Sequence, residues 1–245
     1  MRITVLGSCG AWPSASQACS GFLLEWEHFR LVVDLGYATL PRLLQYVEPH
    51  EVDAVFISHQ HPDHCADLNP LLRARWLADE RARPLPVYTL PGAVAAVLAL
   101  DRPGMLDGAY DLHEFHAGDG FDIGPFRAQT RLLPHWVPNA GVRLTAGLRT
   151  ITYTGDSGPD SAVVELARGA DLLVAESSYV DAVPDDSVGY LCDARTAGLQ
   201  AAEAGVQRLL LTHLLPGTDP KEAIHATGFG GDVGTAAAGM VVDLH

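Results

Sequence analysis

Hydrophobic residues fall along the chain in short runs whose period and bounding residues separate strands from helices. Residues 2–7, 21–26, 29–34 and 53–57 read as strands in the first half. Stretches 40–47, 67–77 and 94–100 carry helical spacing, and a strand-rich middle follows at 121–132, 142–146 and 149–154. Helix and strand then alternate: helix 161–168, strand 171–175, helix 193–204, strand 208–212. This order predicts an α/β fold of two mixed β-sheets packed face to face with helices outside. The proline- and glycine-bearing segments 84–86 and 216–220 lie between periodic elements and read as loops. No linker, repeat or low-complexity tract divides the chain, so one unit over 1–245 is expected. Its 245 residues, 48% of them hydrophobic, suffice for a large core.

Charge narrows the partners. Thirty acidic against 16 basic residues give a net charge of −14, which repels a polyanion such as transfer RNA. Arg73, Arg75, Arg81 and Arg83 cluster around Trp76 and read as the solvated face and end of a helix. Cys9, Cys19, Cys65 and Cys192 form no C-x-x-C pair, which leaves neither a zinc ribbon nor a disulfide framework. Residues 1–6 alternate like a strand and lack a signal peptide's apolar core. No apolar stretch reaches the ~18 residues a membrane span needs. A reduced, cytoplasmic protein is the expectation, with a homodimer favoured by base rate alone.

The candidate chemistry is concentrated in His59-Gln60-His61-Pro62-Asp63-His64, directly after the apolar run 54–58. On an extended backbone His59 and His61 point to the same side, so one ion can take both imidazoles. Pro62 favours a turn that lets Asp63 and His64 reach a second ion. Without a bound cation, so dense a cluster would repel itself on protonation.

This hexapeptide meets in full the H-x-H-x-D-H signature of the metallo-β-lactamase superfamily, which the chain resembles over nearly its whole length. The resemblance implies a four-layer αββα sandwich. It also implies three further ligands, which fall on His135 in Pro134-His135-Trp136, Asp156 in Gly155-Asp156-Ser157 and His213 in Thr212-His213, each at an expected strand end. By the same resemblance His59, His61 and His135 hold one divalent metal ion, Asp63, His64 and His213 hold a second, and Asp156 bridges them. Zn2+ leads, with Mn2+ or Fe open, since His and Asp ligands accept all three. Two such ions would generate a metal-bound hydroxide as nucleophile, with Asp63 orienting it and Asp156 fixing the spacing. The ordinary reading of Gly155-Asp156-Ser157 is a turn.

Within the superfamily the closest likeness is to the phosphodiesterase-like branch, which includes ribonuclease Z and bacterial cyclic-nucleotide phosphodiesterases. The stretches that carry it are 7–10, 64–68, 153–157 and 175–179. One departure matters: the histidine with which ribonuclease Z relatives protonate the leaving group falls here on Leu191. No inserted basic arm is seen either, so a small-molecule substrate is expected. A hydrolase of small phosphodiesters leads. A thioester, lactone or activated carboxylic-ester hydrolase is the alternative, because such leaving groups need no proton. A non-hydrolytic redox or binding protein on the same scaffold is the third reading.

Other residues are less telling. Trp136 reads either as a hydrophobic wall beside the metals or as a buried core ring. Cys192 reads as a small buried hydrophobe. His113 and His116 have i, i+3 spacing but nothing completes a site, and they read as a surface segment before a strand. Residues 7–10 read either as a backbone N–H cradle for a phosphate, without the Lys and Ser/Thr of a P-loop, or equally as a tight loop bordering the active site.

Overall fold

The computed structural model describes residues 1–78 and 82–245. The first half runs β1 (Arg2–Gly7), β2 (Gly21–Trp26), β3 (Phe29–Leu35), α1 (Leu40–Leu43), β4 (Ala54–Ile57), α2 (Pro62–Cys65), α3 (Leu68–Trp76), β5 (Leu85–Thr89), α4 (Ala95–Leu98) and β6 (Tyr110–Glu114). The second runs β7 (Gly120–Ile123), β8 (Phe126–Leu133), β9 (Asn139–Ala146), β10 (Arg149–Tyr153), α5 (Ser161–Ala167), β11 (Leu172–Glu176), α6 (Ala194–Ala204), β12 (Arg208–Thr212), α7 (Pro220–Ala226), β13 (Asp232–Thr235) and β14 (Val241–Asp243).

These strands form two seven-stranded mixed sheets, ordered β14-β1-β2-β3-β4-β5-β6 and β13-β12-β11-β10-β9-β8-β7. Strand composition follows position. Central parallel strands are covered on both faces and read as unbroken apolar runs, as in β4 (AVFI, every residue buried) and β11 (LLVAE, every residue buried). At the far side β8 begins with strict alternation of buried and exposed residues, Phe126, Ala128 and Thr130 pointing inward. The core between the sheets includes Phe22, Val33 and Phe56 from one and Phe126, Val142 and Tyr153 from the other. Two outer cores complete the four layers. One buries Leu43, Leu68, Leu71 and Leu72 against the first sheet, and the other buries Val164, Ala197, Ala201 and Ala223 against the second. The expected αββα sandwich is therefore the fold.

Several boundaries differ from the periodicity. The helix expected over 40–47 stops at Leu43, and the next turn tightens through Gln45 N to Arg42 O and Tyr46 N to Leu43 O. Pro49 disfavours helix at Glu48, whose ψ of 152° is extended. Within 94–100 only Ala95–Leu98 is α-helical. The single strand expected over 121–132 is a hairpin: Ile123 pairs with Phe126 across Gly124-Pro125, and Gly124 supplies the positive φ of 54° that so short a turn demands. Pro86 masks β5, whose first two residues fall in the segment 84–86 expected as loop. The strand tolerates it because pairing with β4 begins only at Val87. His113 lies on β6 itself, 3.2 Å from Asp111 and stacked on Tyr88, while His116 sits in the turn beyond, so the two share neither helix nor site.

The basic cluster is corrected as well. Arg81 lies outside the described residues. Arg73 pairs with Asp101 and Arg83 with Asp53, but Arg75 is buried and is not part of a solvated face. Its guanidinium donates to the carbonyls of Pro49 (2.6 Å), Val52 (3.0 Å) and Arg83 (3.0 Å), tying α3 to the segment entering β4. Arg75→Leu leaves those carbonyls without their donor and should cost about 2–4 kcal/mol in urea unfolding, with metal content in native buffer unchanged.

Candidate metal centre

All seven residues singled out by motif and resemblance meet at one end of the sandwich, just beyond the last residues of β4, β8, β10 and β12. Loops leaving the carboxyl ends of parallel strands are the usual place for such a site. After β4 the chain bends at Gln60 and returns to an extended backbone at His61 (ψ 140°). Pro62 then opens the single-turn α2, being pre-set for a first helical position, and this turn brings Asp63 and His64 inward. Asp156 follows Gly155, whose φ of 61° leaves room against Asn139: a Cβ there would meet Asn139 Oδ1 at 2.2 Å. Asn139 fixes the turn by donating to the carbonyls of Thr154 and Asp156.

Outer hydrogen bonds decide which ring nitrogen faces the centre. His64 Nδ1–H donates to Asp34 Oδ2 at 2.7 Å, and His135 Nδ1–H donates to the Tyr190 carbonyl at 3.0 Å. Ser58 Oγ gives its proton to Asp34, so at 3.0 Å from His59 Nδ1 it can only accept. Ser178 Oγ likewise gives its proton to Glu176 Oε1 and accepts from His213 Nδ1 at 3.0 Å. Four imidazoles are thereby held with Nδ1 protonated and the Nε2 lone pair directed inward, the arrangement in which histidines bind metals.

Those lone pairs converge. His61 Nδ1 stands 3.2 Å from His59 Nε2 and 3.0 Å from His135 Nε2. One proton on His61 cannot satisfy both neighbours. On the other side His64 Nε2 lies 3.1 Å from Asp156 Oδ1, and both atoms are buried without a hydrogen-bond partner. His213 Nε2 lies 3.2 Å from Asp63 Oδ2 and 3.2 Å from Asp156 Oδ2. Ligand atoms of His59, His61, His135 and Asp156 fall within 4.8 Å of one another, as do those of Asp63, His64, Asp156 and His213. Asp156 belongs to both sets. Buried lone pairs facing one another around carboxylates form a polar void that a cation would fill, so the residues fit the divalent ions that the motif implies.

The local electrostatics divide the histidines into two groups that match the two sets. Burial holds His59 well below the usual imidazole range, and it lowers His61 and His135. At His64 burial is outweighed by the Asp156 and Asp34 carboxylates, which raise it well above that range, and Asp156 and Asp63 likewise raise His213. Asp156 is itself held well below the carboxylate range: burial opposes its charge, and His213 and His64 overcome it. It is thus an anion at neutral pH.

Several residues that build this centre carried no signal in the chain. Asp34, one residue before the end of β3, has a positive φ of 57° and is fully buried, accepting from Ser58 N, Ser58 Oγ, His64 and Tyr153 Oη. Glu176 lay in a stretch of family likeness without an assigned role. It is buried, which pushes its carboxyl up to about 8, and it accepts from Ser178 N and Oγ and from Cys192 N. Among the remaining expectations, Leu191 is buried and Cys192 is a buried thiol pushed well above its ordinary pKa, chiefly by desolvation. Trp136 is no core ring; it is 50% exposed. The loop after β1 is tight, since a Cβ at Gly10 would meet His213 O at 2.6 Å.

Residues 30–214 match the family model described as a beta-lactamase superfamily domain. The chain belongs to the β-lactamase superfamily. Among its relatives in that superfamily is the probable metallo-hydrolase YhfI of Bacillus subtilis (strain 168), 32% identical over 251 residues, which cover 98% of this chain and 99% of the relative. The crystal structure of YhfI, a metallo-β-lactamase fold protein, aligns with a TM-score of 0.89 at 31% identity, covering 98% of each chain. A ribonuclease Z of Mycobacterium bovis (strain BCG / Pasteur 1173P2) is 28% identical over 264 residues, 95% of this chain and 94% of its own. A diphosphatase from the PhnP family shares the fold, with a TM-score of 0.78 at 15% identity, covering 100% of this chain and 98% of that one. The likeness to the phosphodiesterase-like branch holds. Among the described residues no helix is long and apolar enough to cross a membrane.

Asp34→Ala removes the acceptor that orients His64. It should weaken metal affinity by about 10- to 100-fold, read by competition with a chromogenic chelator, while the substituted protein still elutes as a folded species.

Proposed function

We propose that this chain is a dinuclear-metal hydrolase acting on a small-molecule phosphodiester. His59, His61 and His135 would hold one divalent ion, Asp63, His64 and His213 the other, and Asp156 both, with Zn2+ the first choice and Mn2+ or Fe open. The observation that carries this reading is the inward convergence of locked Nε2 lone pairs on two sets of ligands that share one carboxylate. When bound, such ions lower the pKa of a coordinated water and stabilise negative charge on the attacked group.

The protein's own groups supply orientation. Asp63 is the carboxylate suited to align the attacking water: its Oδ2 is held by Ala11 N at 3.0 Å and by His213. Asp156 is suited to fix the spacing of the two halves from its buried seat beyond β10. The small-molecule part of the proposal follows from the net charge of −14, which leaves little to neutralise a nucleic-acid backbone. The phosphodiester part is supported by the likeness to the phosphodiesterase-like branch.

A second reading is favoured by one residue. Leu191 is apolar and cannot protonate a departing alkoxide, a step whose catalysis is typically worth a factor of about 10² to 10⁴. Thioesters, lactones and activated carboxylic esters release groups that need no proton, and the same centre would serve them.

Initial rates of the zinc- and manganese-loaded protein on a phosphodiester and a thioester, measured in parallel with Asp156→Ala as blank, separate the two. A phosphodiester excess that vanishes in the blank is expected; a thioester excess would replace the first reading with the second. Asp156→Ala should also lower metal content, and retention of both metal and activity would remove Asp156 from the bridge. Leu191→His should accelerate poor-leaving-group esters by about tenfold or more and activated ones much less. Equal acceleration of both would dismiss the missing proton donor as the cause.

A further inference from the structure

Beside the metal centre the fold leaves two large rings only partly covered. Trp136 is 50% exposed and Tyr190 41%. Their rings stack with centroids 5.3 Å apart at an interplanar angle of 25°, and Trp136 meets His135 edge-on at 5.1 Å and 61°. The Tyr190 carbonyl accepts from His135 Nδ1, so the ring pair and this proposed ligand are held as one unit. Trp136 also forms a wall of an open recess of about 400 Å³, whose other walls include Leu133, Pro134, His135, Val137 and Pro138. That volume lies in the range of small-molecule sites, and the walls are mostly apolar.

Apolar rings left in water carry a hydration cost that a ligand covering them recovers. Aliphatic groups would gain buried area here, but a flat ring gains offset stacking besides, which Trp and Tyr faces favour. We propose that Trp136, backed by the stacked Tyr190 ring, forms a platform for a planar aromatic ring of the substrate, on the His135 side of the centre. They are specificity-determining residues, selecting aryl or heteroaryl substrates over alkyl ones of equal charge. The platform rests on the reading above in one respect: the reacting group must sit at the His and Asp ligands for its ring to reach Trp136.

The test uses zinc-loaded protein and two anions, phenylphosphonate and methylphosphonate, titrated by calorimetry. Both offer the same charged head to the metal centre and differ only in the ring, and binding is read without turnover. Phenylphosphonate should bind about tenfold more tightly, a ratio that stacking plus burial can supply. Trp136→Ala should reduce the ratio to within about twofold, Tyr190→Leu should reduce it in part, and Trp136→Phe should keep most of it. A wild-type ratio near one, or an unchanged ratio in Trp136→Ala, overturns the platform while leaving the metal centre standing. Failure of the wild-type protein to bind either anion would overturn the metal-centre reading, and the platform would fall with it.

Discussion

The Asp34 carboxylate is where the two sheets and the candidate metal centre are tied together. It sits near the end of β3, in the first sheet, and accepts from Tyr153 Oη at 2.8 Å, a residue of β10 in the second. The same group receives Ser58 N and Oγ from the segment after β4 and His64 Nδ1 from α2. A buried carboxylate with four donors is well satisfied, and its satisfaction requires both sheets in register. It also sets two tautomers, His64 directly and His59 through Ser58. The strained φ of 57° at a non-glycine residue is what such a junction costs, and the surrounding bonds hold it there.

Glu176 does the corresponding work on the other side. Its Oε1 reaches His213 through Ser178, and its Oε2 takes the Cys192 N–H at 2.5 Å. Two residues before Cys192, the Tyr190 carbonyl holds His135. One buried acid at the end of β11 therefore braces histidines of both ligand sets. Rigidity of this kind is what lets lone pairs face one another at about 3 Å without rearranging. Small residues complete it: Gly36 packs so closely on the Asp63 carbonyl that a Cβ would come within 1.9 Å.

Motif and strand order went far toward this architecture because both depend on local chemistry. H-x-H-x-D-H needs only the geometry of one strand end and one proline-started turn, and the runs at β4, β11 and β12 are apolar because both faces of those strands are covered. What stayed hidden depends on contacts between distant segments. Asp34 and Glu176 look like ordinary acids at strand ends until partners 24 to 119 residues away for the one, and 2 to 16 for the other, are brought around them. Arg75 looked solvated because a helical arginine is so by default, and only the approach of residues 49–52 makes it a buried donor. β5 was masked by Pro86 and β6 by its charged, exposed side chains, features that suit a strand start and a sheet edge.

The segment 190–192 gathers these threads. In the ribonuclease Z pattern it would deliver a proton; here its side chains are Tyr190, Leu191 and Cys192, and its contacts toward the candidate site are made by the backbone. The Cys192 N–H goes to Glu176 and the Tyr190 carbonyl to His135. Leu191 is buried, and the Tyr190 ring is left facing Trp136. The segment's backbone thus braces the candidate ligands, His135 directly and His213 by way of Glu176, while the Leu191 side chain has no proton to give. Under the proposed hydrolase function, such a site would gain little from acid catalysis at Leu191 and more from holding an apolar part of its substrate, with selectivity set by fit beside His135 and rate by the stability of the departing group.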